Sequence, residues 1–545
     1  LKEATVRTPI LIVGGGVVGL TTALFAATHG VPCVLVERRP DLLLHPRARG
    51  LTPRTMEVYR QAGLERPIRD ASFAGPGFTY QPVQAKTLAD VEYRIPDEPA
   101  EDDGSGASPC GFGPIDQDRL EHLVRDKARG LGAELRFHTE LTSFTQDGHA
   151  VTAELTNRQS GAAEVLEADY LVAADGFPSP VRRALGIEAD GPGPMFTTLT
   201  AIVEADLTAA LRGRAVSIAY LQQPRPFTIL LAHDEAGRRW VFGTGYDPQS
   251  ESLADFTDER VAEMVRAAAG LPGADVRVRP QIPGSDLKVL GFPIGAQVAR
   301  RYRADRVFLA GDAAHVWPPT GGLGANAGIQ DAHNLAWKLA MVHHRLAGPA
   351  LLDTYEQERR PVGLLTMGQA LARFGTRMGP GADPAIIDYG AVSMGYRYPL
   401  GDSGDTAPLL PAELAGQPGT RAPHAPITVA GRSLSTLDLY GRGLVLLTGP
   451  TGHRWATAAA RLEVPVDSHQ VTMQVAAAYG LDQDGASLIR PDGFVAWRSQ
   501  GSVPDPAAAL AAAVDTALCR RSSSAQPPPP EQDPGDAVPR ERKKQ

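Results

Sequence analysis

Cysteine is scarce in this chain: Cys33, Cys110 and Cys519 are the only three in 545 residues, far apart and forming no CxxC pair. That excludes a disulfide scaffold and a zinc ribbon, predicts no metal site, and suits a reducing, cytoplasmic setting. The role left to them is that of small buried apolar residues. No long basic face precedes the last few residues and the net charge is −8, which argues against nucleic acid as a partner. One uncharged run, residues 9–28, has the length of a membrane span or signal peptide. Three consecutive glycines at its centre fit neither, and a second apolar stretch at 32–36 follows at once, so it reads as a soluble βαβ unit and no membrane partner is expected. Hydrophobic content of 43% with 21% charged residues is that of an ordinary globular protein.

The densest signal is DRVFLAGDAAHVWPPTGGLGANAGIQDAHNLAWKL, residues 305–339. It reads as a buried strand at 306–310, a turn at Gly311-Asp312, a Pro/Gly-rich loop, and a long helix opening near Ala325 and Asn326. A glycine-rich loop entering a helix turns free backbone N–H groups toward one point, a place for a partly negative ligand atom. Asp312, at the strand end, can accept hydrogen bonds from ligand hydroxyls.

Two other segments repeat the strand–turn–helix theme. After an apolar strand at 10–13, Gly14, Gly16 and Gly19 have the GxGxxG spacing, which suits a tight turn, close approach of a pyrophosphate, and close helix–strand packing. Glu37 follows Gly19 by 18 residues (37 − 19), where an acid binds ribose hydroxyls. The spacing says dinucleotide and does not choose between NAD and FAD. Arg38 adjoins that acid and joins the candidates; Arg47 reads as a phosphate neutraliser, while Arg49 and Arg54 fit that role and a solvated loop equally. Gln117 lies in the first turn of an amphipathic helix with its amide free for a ligand, although a plain helix-start role is the commoner one for such a residue. A second strand, 170–174, ends on Asp175-Gly176 before a short helix.

Residues 190–300 alternate apolar and polar residues between turns, which predicts an antiparallel sheet with one covered face. Tyr220, Phe227, Trp240 and Phe242 are its candidates for an aromatic pocket, with core packing the commoner role for any one of them. Pro361 is expected to kink or restart a helix over 351–377. The tail 521–545 is low-complexity and reads as disordered.

GGGVVG at 14–19, ADGFPSPVRR at 174–183 and FLAGDAAHVWPPTGGLGANAGIQDAHNLAWKLA at 308–340 resemble the class A flavoprotein aromatic hydroxylases. PGTRAPH at 418–424 and GASLIRPDGFVAWR at 485–498 resemble the thioredoxin-like appendage of the phenol- and polyketide-hydroxylase branch. The resemblance implies an α/β architecture with a PHBH-type, Rossmann-like FAD domain, an inserted antiparallel-sheet substrate domain, and a thioredoxin-like C-terminal domain. The implied division is FAD-binding at 8–188 and 301–378, substrate sheet at 189–300, linker at 379–414, and appendage at 415–520. One FAD is implied, with NADPH or NADH as reductant and dioxygen and a small aromatic molecule as substrates, in a monomer or homodimer. Glu37 would bind the adenosine ribose, Arg47 and Gln117 the phosphate and ribityl region, and Asp312 a ribityl hydroxyl. Backbone at Gly324, Ala325 and Asn326 would meet the flavin pyrimidine edge, and Asp175 would serve FAD and NAD(P)H together. The implied reaction is hydroxylation of a phenolic, polycyclic, polyketide-type aromatic through a flavin 4a-hydroperoxide. Alternatives are a catabolic phenol monooxygenase, a Baeyer–Villiger oxygenase on the same scaffold, and a non-catalytic FAD or aromatic-ligand binder. No catalytic base is named. Without CxxC, the appendage is expected to be structural.

Overall fold

The uncharged N-terminal run folds as strand Val6–Val13, helix Val17–Thr28 and strand Cys33–Val36. The computed structural model describes residues 6–43, 48–72, 82–90, 93–94, 106–233, 237–282, 284–378, 386–400, 406–429 and 431–520. Arg47 and the tail 521–545 lie outside those residues, as does most of the acidic loop before Ser108.

The first sheet runs, in spatial order, Arg303–Ala304, Val307–Leu309, Ala163–Ala173, Val6–Val13, Cys33–Val36 and Glu134–Arg136. From Val307–Leu309 onward its neighbours are parallel. Parallel strands covered on both faces need continuous apolar runs, and Leu11, Ile12, Leu171, Val172 and Phe308 are all fully buried. Helix Val17–Thr28 packs between the Gln117–Gly130 and Leu323–His343 helices. The ends of the three central strands therefore deliver the Gly14 turn, Asp175 and Asp312 to one edge of the sheet.

The second sheet orders His315–Val316, Val289–Ala299, Ala189–Ala205, Arg239–Tyr246, Thr228–Ala232, Ile218–Leu221, Pro82–Ala85 and Tyr93–Arg94. It draws Pro82–Ala85 from inside the first FAD-binding stretch, pairing it in parallel with Ile218–Leu221. The expectation of one covered face does not hold, because helices cover both. Trp240 and Phe242 share a buried cluster with Val261 and Val265 of the Asp258–Ala269 helix. The opposite face lies under the Thr354–Met378 helix, where Phe374 stacks on Phe196 and Phe227. That helix runs through Pro361 without restarting. The missing N–H would have bonded the carbonyl of Gln357; Pro361 and Gln357 are both exposed, so water can take that carbonyl.

The last module alternates strand and helix as Leu444–Thr448, His453–Ala459, Val466–Gln470, Met473–Ala478, Ala486–Ile489, Val495–Ser499 and Pro506–Ala517. Its sheet orders the strands second, first, third, fourth, with only the first two parallel, which is the thioredoxin-like arrangement. Its one cysteine, Cys519, is free. Buried ions join it to the FAD domain: Arg421 pairs with Glu57, and Arg490 with Glu358 at 2.6 Å. None of the described helices is long and apolar enough to cross a membrane.

Candidate active site

Gly14 turns the first strand with φ +112°, and a Cβ there would lie 2.2 Å from the Ala174 carbonyl oxygen. Only glycine lets the two strand ends touch in this way. Gly16 then caps the Val17–Thr28 helix with extended backbone and no side-chain hydrogen bond, which leaves the helix start open to a phosphate. A Cβ at Gly19 would sit 1.9 Å from the Gly14 oxygen, so the helix could not otherwise pack this close. Glu37 is buried, its Oε2 accepting from Gly15 N–H at 2.7 Å and its Oε1 from Arg39 N–H at 2.9 Å. It shapes the glycine turn, and each carboxylate oxygen keeps a lone pair for a ribose hydroxyl. Arg38 is exposed beside it.

The third motif abuts the first. A Cβ at Gly311 or at Gly328 would each lie 2.7 Å from Val18 Cγ2. Three segments separated by more than a hundred residues thus meet around the start of one helix. Asp312 follows in the Gly311–Ala313 turn and is exposed. The Leu323–His343 helix is capped by Gly322 at φ +64° with no side-chain cap, so its first N–H groups, like those after Gly16, face no side chain of the cap residue. Gly324 and Ala325 are half-buried in this first turn. Asn326 is buried: its Oδ1 accepts from Thr52 N–H at 2.9 Å, and its Nδ2 donates to the Gly50 and Gly322 carbonyls. Its side chain therefore ties the 50–52 loop to the helix start.

Some candidates have internal work. The Gln117 amide is not free: Nε2 donates to Glu121 at 2.8 Å and Oε1 accepts from Ala48 N–H at 3.3 Å. Gln117 thereby anchors the loop that follows Arg47. Arg49 pairs with Asp116 at 2.7 Å and reaches the Ala232 carbonyl of the second sheet, so it bridges the two domains. Arg54 is neither phosphate ligand nor solvated. It is buried, donating to the Asp492 carbonyl at 2.7 Å and to Glu57 at 3.1 Å. Asp175 accepts from Ser179 Oγ at 2.7 Å and Val181 N–H at 3.0 Å, bracing its own turn, and burial pushes its carboxyl above the usual range.

Pairing register sorts the four aromatic candidates. Tyr220 stands opposite Ile229, and Ile229 opposite Gly243, one residue out of step with Phe242. Side chains alternate along a strand, so Tyr220 and Phe242 point to opposite faces. Trp240 and Phe242 are fully buried in the core on the far face, the Trp240 indole N–H donating to the Gly237 carbonyl at 3.0 Å, so neither stands on the face toward the FAD domain. Tyr220 and Phe227 lie on the face toward the FAD domain. Phe227 stacks on Phe196 at 5.0 Å and on Phe374 at 5.5 Å. Arg377 donates to Tyr220 Oη at 3.2 Å, and burial holds the Tyr220 phenol well above its usual pKa. Behind the helix start, Thr52, Asn326, Gln330, Val362, Thr366 and Val392 line a small cavity among the helices, with no residue of the sheet in its wall.

Comparison with known proteins gives this geometry a family. Residues 7–370 match a family of FAD binding domains, and residues 415–520 match the C-terminal domain of aromatic-ring hydroxylases. The chain belongs to the FAD-dependent aromatic-ring hydroxylases. It is 40% identical to a tetracenomycin A2 monooxygenase-dioxygenase of Streptomyces glaucescens, covering 95% of this chain and 98% of that protein. It is 39% identical to a 4-methyl-5-nitrocatechol 5-monooxygenase of a Burkholderia species, over 94% and 98% of the two chains. The crystal structure of an aklavinone-11 hydroxylase with FAD and aklavinone superposes with a TM-score of 0.86 at 35% identity, covering 95% of this chain and all of that one.

The cradle of this hydroxylase fits FAD on its own evidence. Two glycine-capped helix starts and an exposed Asp312 converge, and a Cβ at Gly14, Gly19, Gly311 or Gly328 would overlap the touching backbone or side chains. Sequence reasoning missed Phe196, Phe374 and Arg377. The last two are three residues apart on one helix, a spacing that places them on one face and could have flagged them.

Proposed function

We propose that this hydroxylase inserts one oxygen atom from dioxygen into a phenolic, polycyclic aromatic of the polyketide type, with a reduced nicotinamide as electron donor. The observation that carries the reading is the meeting of the Gly14 turn, the Gly311-Asp312 turn and the Gly322-capped helix opposite a sheet face bearing stacked phenylalanines. Bound FAD supplies the redox chemistry and oxygen activation; the chain supplies position, charge and dryness.

The helix start after Gly16 orients the pyrophosphate, assisted by Arg47. Glu37 takes a ribose hydroxyl while keeping the glycine turn shaped, and Asp312 accepts from a ribityl hydroxyl. The positive end of the Leu323–His343 helix, at Gly324, Ala325 and Asn326, stabilises negative charge on the flavin's pyrimidine edge. Phe196, Phe227 and Phe374 give a flat apolar wall for a fused ring system and exclude water. Tyr220, its hydroxyl fixed by Arg377, stays protonated at neutral pH and can donate to a substrate oxygen. Gln117 and Arg49 act indirectly, holding the loop between the two domains.

The nitrocatechol monooxygenase relative supports a second reading, a single-ring phenol as substrate. The test incubates the flavin-loaded protein with NADPH or NADH and a panel of one-ring and fused-ring phenols. Substrate-stimulated nicotinamide oxidation, with a product heavier by one oxygen from fused-ring phenols, is expected. Stimulation by one-ring phenols alone would select the second reading, and none by any phenol would leave a flavin-binding protein without this activity.

A further inference from the structure

Beside the first turn of the Leu323–His343 helix lies a donor that no described protein group uses. Trp317 is 9% exposed, and its Nε1 is buried with no hydrogen-bond partner among the described residues. A Cβ built on Gly324 would lie 3.8 Å from that nitrogen, its nearest neighbour there, so the indole edge faces the turn assigned above to the flavin's pyrimidine edge. Of the apolar side chains clustered with the ring, Ala296, Ala327, Ala370 and Leu371 contain no acceptor, and the indole N–H makes no bond to the weakly accepting Met367 sulfur.

The donor is held rigidly. The Trp317 ring stacks on His315 at 4.6 Å and 10°. His315 Nε2 meets Asp331 Oδ2 at 2.7 Å. Asp331 in turn accepts from Arg359 Nε at 2.7 Å and from Gly311 N–H at 3.1 Å. Burial alone would raise the Asp331 pKa, but His315 and Arg359 hold it below the usual range. The indole is therefore fixed through a buried ion network to the turn that carries Asp312.

Leaving a buried indole N–H unpaired is unfavourable, and proteins rarely do so without a cause. The other buried tryptophans clarify the contrast. Trp240 and Trp455 donate to the carbonyls of Gly237 and Asp484 at 3.0 and 2.8 Å. Trp337 has an unpaired N–H, but it lies under the Arg490 guanidinium, 5.0 Å from the ring centroid, in the junction with the last module. Trp317 alone of these combines an unused donor with a glycine-capped helix start.

We propose that the Trp317 indole N–H is a ligand-positioning donor, completed by a carbonyl or phenolate oxygen that the bound ligand presents over Gly324. That oxygen belongs either to the flavin's pyrimidine ring or to the aromatic substrate. The inference rests on FAD lying at this helix start.

The test uses the full chain with Trp317→Phe, and with β-(3-benzothienyl)alanine placed at the same position by codon suppression. The second replacement keeps the bicyclic shape and the stack on His315 while removing only the N–H. FAD affinity of the stripped protein is read from quenching of flavin fluorescence, and alizarin, a fused-ring phenol, is titrated against the flavin-loaded protein by its effect on flavin absorption. Both variants should lose at least about three- to tenfold in one of the two affinities, the worth of one hydrogen bond to a neutral carbonyl, and more than about tenfold if the acceptor is a phenolate. Loss of FAD affinity identifies the flavin oxygen; loss confined to alizarin identifies the substrate oxygen. Unchanged FAD affinity with alizarin binding that is unchanged or absent overturns the proposal and leaves the FAD site standing. A wild-type chain that binds no FAD removes both.

Discussion

The two halves of the Leu323–His343 helix use polar residues in opposite ways. In its first turn, Gly322, Gly324 and Ala325 offer backbone, and Trp317 beside them keeps a donor in reserve. Further along, apart from the Trp337 indole, the buried polar side chains have protein partners. Gln330 meets Thr55 and Tyr396, Asp331 meets His315 and Arg359, and His333 meets Gln61. Asn334 and Lys338 meet Glu358 at 2.8 and 2.7 Å. One continuous motif therefore presents backbone at the end where FAD is proposed to lie and, at the other, binds Glu358 and Asp492 at the junction with the last module. Polar identity in a sequence does not reveal which; the presence of a partner does.

The junction half should break most severely. Arg490→Leu leaves Glu358 and Asp492 buried with less compensation, and removing one partner of such a cluster costs about 3–5 kcal/mol. The urea midpoint should fall accordingly, while the flavin complement of the folded fraction stays at the wild-type level. A parallel loss of flavin would show that the halves are not separable.

The ligand half should respond in the reverse sense. Asp312→Ala should weaken FAD binding about 10–100-fold, as expected for a hydrogen bond to a charged group. The flavin-free protein should keep its stability to within about 0.5 kcal/mol, the usual effect at an exposed position. Full FAD occupancy in this variant would contradict the assigned role.

Acid should also act on the junction half. Burial, helped by the charge of Arg54, pushes the His333 pKa down to about 3. The unfolded chain takes that proton near its ordinary pKa of about 6.5, so stability is lost as pH falls from there toward the folded value, by up to about 1.4 kcal/mol per pH unit. Urea midpoints across this window should fall less steeply in His333→Gln; equal slopes would remove His333 from the account.

The smallest effect sharpens the contrast between sheet faces. Tyr220→Phe removes a hydroxyl that accepts from Arg377, worth about 1 kcal/mol. KM for the aromatic substrate should rise while FAD affinity stays fixed. A change in FAD affinity instead would move Tyr220 out of the substrate wall.

Much of the fold was legible in the sequence because strand, glycine turn and helix follow one another locally in all three motifs. Gly14, Gly19 and Gly311 announce close contacts that only glycine permits. The substrate sheet was less legible. Which of Tyr220 and Phe242 points toward the FAD domain depends on a one-residue offset across three strands, set by pairing rather than by either segment alone. Arg54 was misread because its partner, the Asp492 carbonyl, lies in a different module hundreds of residues away. Gln117 showed its position at a helix start correctly, but not that Glu121, one turn on, would take its amide.

Whether three distant turns form one flavin site is open to direct measurement. The direct measurement releases the bound chromophore from protein purified under non-denaturing conditions and identifies it by chromatography and mass. FAD at about one per chain is expected, reduced sharply by Asp312→Ala; a chain that neither carries nor takes up FAD would rule out such a site.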